Sequence, residues 1–141
     1  MRLIEDSQIK ALLERVHTVA VVGYSDKADR PSNQIATFLE QVGFDVYRVN
    51  PTLASDGKSG KRIYASLAEI PVPIDVVDIF RRPENVPEIV QEAIAVHAKA
   101  IWMQLGIINE EAARSADSAG LDVVMDRCMR VESKRLLHKV A

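Results

Sequence analysis

Val19-Ala20-Val21-Val22-Gly23-Tyr24-Ser25-Asp26-Lys27-Ala28-Asp29-Arg30-Pro31-Ser32 is the stretch that decides how this chain folds. Its first four residues are apolar and three are β-branched valines, which suits a short strand buried on both faces. The run stops at Gly23, crosses a polar loop carrying Lys27 and Arg30, and enters a helix that Ser32 is placed to cap. A strand that passes into a helix through a glycine-bearing loop is the opening unit of an α/β sheet, and a helix start beside cations suits a phosphate. Without a Cβ, Gly23 lets backbone N–H groups approach an anion and tolerates positive φ; the competing reading is a glycine needed only for the turn. Ser25, Lys27 and Arg30 in the same loop favour the anion.

The pattern repeats along the chain. Ahead of the first strand, Ile9, Leu12, Leu13 and Val16 fall on one helical face and predict a helix from Ser7 to Val16. After it, Ile35, Phe38, Leu39 and Val42 form the stripe of a second helix that Gly43 ends. Phe44–Val49 is the second strand, closed by Asn50-Pro51, since proline cannot continue a ladder. Thr52–Arg62 reads as a long polar loop, and Ser66–Ile70 as a helical turn. Strands follow at 74–80, 99–103 and 121–125. Helices lie between them, the first with Pro87 in its opening turn and the next capped by Asn109 with Glu110 and Glu111 behind it. The tail after Cys128 is read as helical on a weak pattern.

Strands that alternate with helices predict a parallel sheet covered on both sides. The expectation is an α/β, Rossmann-like three-layer sandwich with a five-stranded parallel sheet in the order 3-2-1-4-5 and helices on both faces. The 141 residues suit one domain spanning 1–141. A net charge of −2 gives no general attraction to nucleic acid or an anionic membrane, so neither is an expected partner. The single cysteine rules out a disulfide framework within the chain. No apolar run is long enough to span a bilayer, and the N-terminus turns acidic at Glu5-Asp6, so a cytoplasmic location is expected.

In such a sheet a ligand lies beyond the carboxyl ends of the strands, at the switch point, expected between the first and fourth strands. The segments there are Gly23-Tyr24-Ser25, Arg48 with Asn50-Pro51, Phe80-Arg81-Arg82, Gln104-Leu105-Gly106 and Asp126-Arg127-Cys128. This edge is locally basic on a slightly acidic chain, which fits a small anionic molecule. The dinucleotide fingerprint G-x-G-x-x-G is absent, and the second strand ends Arg48-Val49-Asn50 where NAD binding calls for a carboxylate. Arg48 and Asn50 would instead accept a ribose phosphate, with Lys58, Lys61 and Arg62 as further cations. That leaves NADP and coenzyme A. Arg81-Arg82 reads either as a clamp on the ligand or as a surface pair facing Asp78 or Glu84.

Taken together, VAVVGYSDKADRPSNQIATFL, VYRVNP, IDVVDIFRRPENVPEIVQEAI, AIWMQLGI and VVMDRC resemble the stand-alone CoA-binding proteins, which are similar to the N-terminal domain of the succinyl-CoA synthetase α subunit. The resemblance runs from Val19 to Cys128. It implies coenzyme A, or an acyl-CoA, along the carboxyl edge of the sheet. Gly23, Tyr24 and Ser25 would meet the phosphates, with Lys27, Arg30 and Ser32 near them. Val49-Asn50-Pro51 would border the adenosine, Phe80, Arg81 and Arg82 would wall the nucleotide, and Gln104 and Gly106 would lie near the pantetheine. The ligase's chemistry needs a further domain bearing a phosphohistidine and does not follow from this resemblance, so the expectation is a binding module without catalysis. The alternative is an NADP-dependent oxidoreductase or NADP-binding sensor, for which no hydride-acceptor residues stand out. His17, His97 and His138 are scattered and suggest no metal site. Cys128 reads either as a partner for the coenzyme A thiol in a mixed disulfide or as a small buried residue.

Overall fold

Six runs of the chain pair side by side, all parallel, in the order β3-β2-β1-β4-β5-β6. They are β1 (Thr18–Val22), β2 (Asp45–Val49), β3 (Ile63–Tyr64), β4 (Val76–Ile79), β5 (Ala100–Met103) and β6 (Asp122–Met125). The computed structural model describes residues 1–55 and 62–140. The helices are α1 (Asp6–Arg15), α2 (Pro31–Gln41), α3 (Pro51–Ser55), α4 (Val86–Ala95), α5 (Glu110–Ser118) and α6 (Met129–Leu137), with single 3₁₀ turns at Leu67–Glu69 and Pro83–Asn85.

Alternate residues of the central strands serve two separate cores, because side chains of a strand point to opposite faces in turn. Val19, Val21 and Trp102 face one side and pack with Ile9 and Leu13 of α1, Ile35 and Leu39 of α2, and Met129 of α6. Ala20, Val77, Ile79 and Ile101 face the other side and pack with Ile89 and Val90 of α4 and Ala112 and Ala116 of α5. The small face of α5 therefore lies on its own sheet. This is the expected three-layer Rossmann-like architecture.

The strand count is corrected from five to six. β3 contributes two residues, and Ile63 alone gives no period to read. Counting it restores the order 3-2-1-4-5, with β6 beyond. It also moves the predicted third strand, Ile74–Phe80, from beyond β2 to the position beside β1. The switch point lies between the ends of β1 and β4, so Gly23 and Phe80 are neighbours. The loop expected from Thr52 begins instead with the short α3, in which the Asn50 side chain accepts from the Leu53 N–H at 3.0 Å. Met1–Leu3 add a further pairing beside β6, Leu3 N–H to the Val123 carbonyl at 2.8 Å.

Candidate functional site

The loop after β1 is tied down by its own chain. Gly23 and Tyr24 both donate their N–H to the Val49 carbonyl, at 3.1 and 3.3 Å. The Ser25 N–H goes to Ser32 Oγ at 2.9 Å, and the Lys27 N–H to Ser25 Oγ at 3.2 Å. Asn33 Nδ2 donates to the Tyr24 hydroxyl and to the Ser25 carbonyl, both at 3.1 Å, and Asn50 Nδ2 donates to the Tyr24 carbonyl at 2.7 Å. The expected cradle of backbone N–H groups from Gly23 to Ser25 is therefore not formed, since those donors are spent within the fold. What the loop still offers an anion is its side chains: the hydroxyl protons of Ser25 and Ser32 and the cations that follow. Ser32 is not the helix cap. Arg30 holds that position and Pro31 opens α2, where its missing N–H costs little.

Gly23 has a structural duty that stands without any ligand. Its φ is +88°, and a Cβ there would lie 2.6 Å from the Phe80 carbonyl oxygen and 2.8 Å from Arg81 Cδ. The glycine lets β1 and β4 end side by side.

Above that junction lies a cavity of about 580 Å³ between the starts of α2 and α6, a size typical of small-molecule sites. Of the residues expected at the site, it brings together Gly23, Ser25, Arg30, Ser32, Phe80, Arg81 and Gln104. Pro51 lines a smaller neighbouring hollow of about 120 Å³, which shares Gly23 and Arg81 with the cavity. Tyr24 is buried beneath the loop, 2% exposed. Lys27, Arg82 and Gly106 are on neither wall, and the Gly106 N–H is taken by Asp126 Oδ1 at 2.7 Å.

Arg48 is corrected. It is 3% exposed and its guanidinium binds Glu40 at 2.6 and 3.1 Å, 5.1 Å from the centre of the Tyr24 ring. Its register beside Val21 turns it inward onto the α2 side of the sheet, away from any ribose phosphate. Asn50 is likewise engaged by the loop. Arg62 pairs with Asp45 and lies over the Tyr47 ring, while Lys58 and Lys61 lie outside the described residues. Asp78 does not meet Arg81 or Arg82. It is fully buried between Val21 and Trp102 with neither oxygen hydrogen-bonded, and burial pushes its carboxyl well above the usual range. Trp102 is fully buried, its indole N–H on the Arg127 carbonyl at 2.7 Å.

Six cavity residues were not foreseen: Pro31, Gln34 and Ile35 on α2, Ile107 after β5, and Arg130 and Val131 on α6. Cys128, half-buried, is on the same wall. The arginines sort into two sets. Arg2, Arg15, Arg48, Arg62, Arg127 and Arg135 are all paired with carboxylates. Among the described residues Arg30, Arg81, Arg82, Arg114 and Arg130 have no such partner, and three of these five, Arg30, Arg81 and Arg130, line the cavity. An unpaired guanidinium offers a fork of N–H donors to phosphate or carboxylate oxygens. No three His, Cys, Asp or Glu side chains stand together as a metal set among the described residues, and no described helix is long and apolar enough to cross a membrane.

A family model described as "CoA binding domain" matches residues 17–134. The uncharacterized protein YneT of Bacillus subtilis (strain 168) is 38% identical over 125 residues, 89% of this chain and 91% of that one. A solved structure of a hypothetical protein from Pyrococcus horikoshii OT3 is 40% identical with a TM-score of 0.87, covering 95% of this chain and 93% of the other. The dinucleotide forming acetyl-coenzyme A synthetase 1 of Ca. Korarchaeum cryptofilum, solved in complex with phosphate and ADP, is similar at 25% identity and a TM-score of 0.68. That match takes in 77% of this chain and 25% of the synthetase chain.

Proposed function

The chain belongs to the CoA binding domain family, and from that premise we propose that it binds coenzyme A in the cavity over the ends of β1 and β4, as a binding module without catalysis of its own. The observation that carries the site is the gathering of Arg30, Arg81 and Arg130 on one cavity, three of the five arginines that have no carboxylate partner among the described residues. Arg30 and Arg81 are exposed and Arg130 is partly buried, so their N–H donors are open to a ligand, and a diphosphate supplies the opposite charge. Arg30 and Arg81 would hold the diphosphate together with the hydroxyls of Ser25 and Ser32, and the dipole of α2 adds to the attraction. The hollow lined by Val49, Pro51 and Ala65 suits the adenosine end, because it adjoins the cavity across Gly23 and Arg81.

NADP is the competing ligand. Arg48 and Asn50 at the end of β2 read equally as acceptors of a ribose phosphate of NADP or of coenzyme A, and because Glu40 engages the Arg48 guanidinium that position favours neither. Calorimetric titration with coenzyme A, NADP and NAD separates the readings. Coenzyme A is expected to bind at least tenfold more tightly than either dinucleotide. A preference for NADP, or no binding of coenzyme A, rejects the proposal.

A further inference from the structure

The end of the cavity farthest from β1 has a different character. Strand order places β4, β5 and β6 successively away from β1. At a spacing of about 4.8 Å, the end of β6 is about 14 Å from the end of β1. An extended arm of about four peptide-sized units covers that distance. A ligand whose diphosphate sits by Ser25 and Arg30, with an arm crossing the ends of β4 and β5, therefore brings its terminus to the wall made by Leu105, Ile107, Cys128 and Val131.

That wall is apolar and open. Leu105 is 68% exposed and Val131 50%. Single exposed apolar residues are ordinary, but two on one ligand cavity, continuous with Ile107, form a surface that covering by hydrocarbon would stabilise. Among the described residues Arg130 and the Cys128 thiol are unengaged there, and other polar groups around the wall are held within the fold. Gln104 Oε1 accepts the Met129 N–H at 3.0 Å, Asp126 holds the Gly106 N–H, and the Trp102 indole holds the Arg127 carbonyl.

We propose that the ligand is an acyl thioester of coenzyme A whose saturated acyl chain lies on Leu105, Ile107 and Val131. This rests on the coenzyme A reading and narrows it to a substrate class: neutral hydrocarbon acyl groups are favoured over the free thiol and over acyl groups ending in a carboxylate.

The test is calorimetric titration of the full chain with free coenzyme A and its acetyl, butyryl, hexanoyl and succinyl thioesters. Affinity should rise from acetyl to hexanoyl by about two- to fourfold per methylene, and butyryl should bind more tightly than succinyl. In Val131→Asp and Leu105→Ser the dependence on chain length should flatten. Coenzyme A that binds with no dependence on chain length overturns the acyl wall and leaves the coenzyme A site standing. Tighter binding of succinyl than butyryl also overturns it and assigns the terminus to Arg130. If no member of the series binds, both readings fall.

Discussion

Gly23 and Arg48 both changed meaning once neighbours could be seen. Gly23 is demanded by packing, through a positive φ and the Phe80 carbonyl. Gly23→Ala should therefore destabilise the fold by about 2–4 kcal/mol, read in urea unfolding without any ligand; an unchanged midpoint contradicts the packing account. Arg48 and Arg81 form a matched contrast. Arg48→Met removes the pairing with Glu40 and the contact with Tyr24, and should lower stability by about 1–3 kcal/mol. Arg81→Ala removes an unpaired cation, and should leave the unfolding midpoint near wild type while weakening coenzyme A by roughly 10- to 100-fold. The sequence could not separate these two arginines, because the partner that takes Arg48 is a glutamate on the preceding helix.

The start of α2 is the element on which the site depends. Asn33 and Ser32, in its first turn, hold the loop after β1 through the Tyr24 hydroxyl, the Ser25 carbonyl and the Ser25 N–H. Asn33→Ala removes two of those bonds. The Ser25 amide should then exchange its hydrogen faster and coenzyme A should bind several-fold more weakly, with a stability loss of about 1–2 kcal/mol. Unaltered exchange at Ser25 would show the loop to be held by other means. This loop, and the strands on either side of it, were legible because valine runs and helical stripes carry their periods in the sequence. β3 was not, being two residues long. α6 was read only weakly, since its buried face includes Glu132 and Ser133 beside Met129. Glu132 is tolerated there through Arg127 and Arg135. With that face masked by polar residues, Arg130 and Val131 could not be assigned to the cavity in advance.

The sheet as a body carries one charge-bearing group at its centre. Asp78 is fully buried without a hydrogen-bond partner, and burial raises its pKa well above the ordinary carboxylate value. The fold therefore prefers the protonated acid, whereas the unfolded chain loses that proton near pH 4. Its contribution is fully present below that pH and is lost as pH rises towards the folded pKa, with a slope of up to about 1.4 kcal/mol per pH unit. Asp78→Asn should flatten this part of the stability profile; a wild-type profile that already matches the variant's contradicts the buried-acid account. The same sheet gives the molecule its polarity, with the candidate site at the carboxyl ends of the strands and the start of α2 feeding it from one side. Of the five strand-end segments legible in the sequence, those after β1, β4, β5 and β6 contribute to the cavity, whereas its walls from α2 and α6 at Gln34, Ile35, Arg130 and Val131 were not foreseen. Mapping amide chemical shifts during titration with coenzyme A tests the whole arrangement most directly. The account predicts changes gathered at Gly23–Ser32, Phe80–Arg81, Gln104–Ile107 and Cys128–Val131. No changes, or changes centred at the opposite edge around His17 and Gly43, would contradict it.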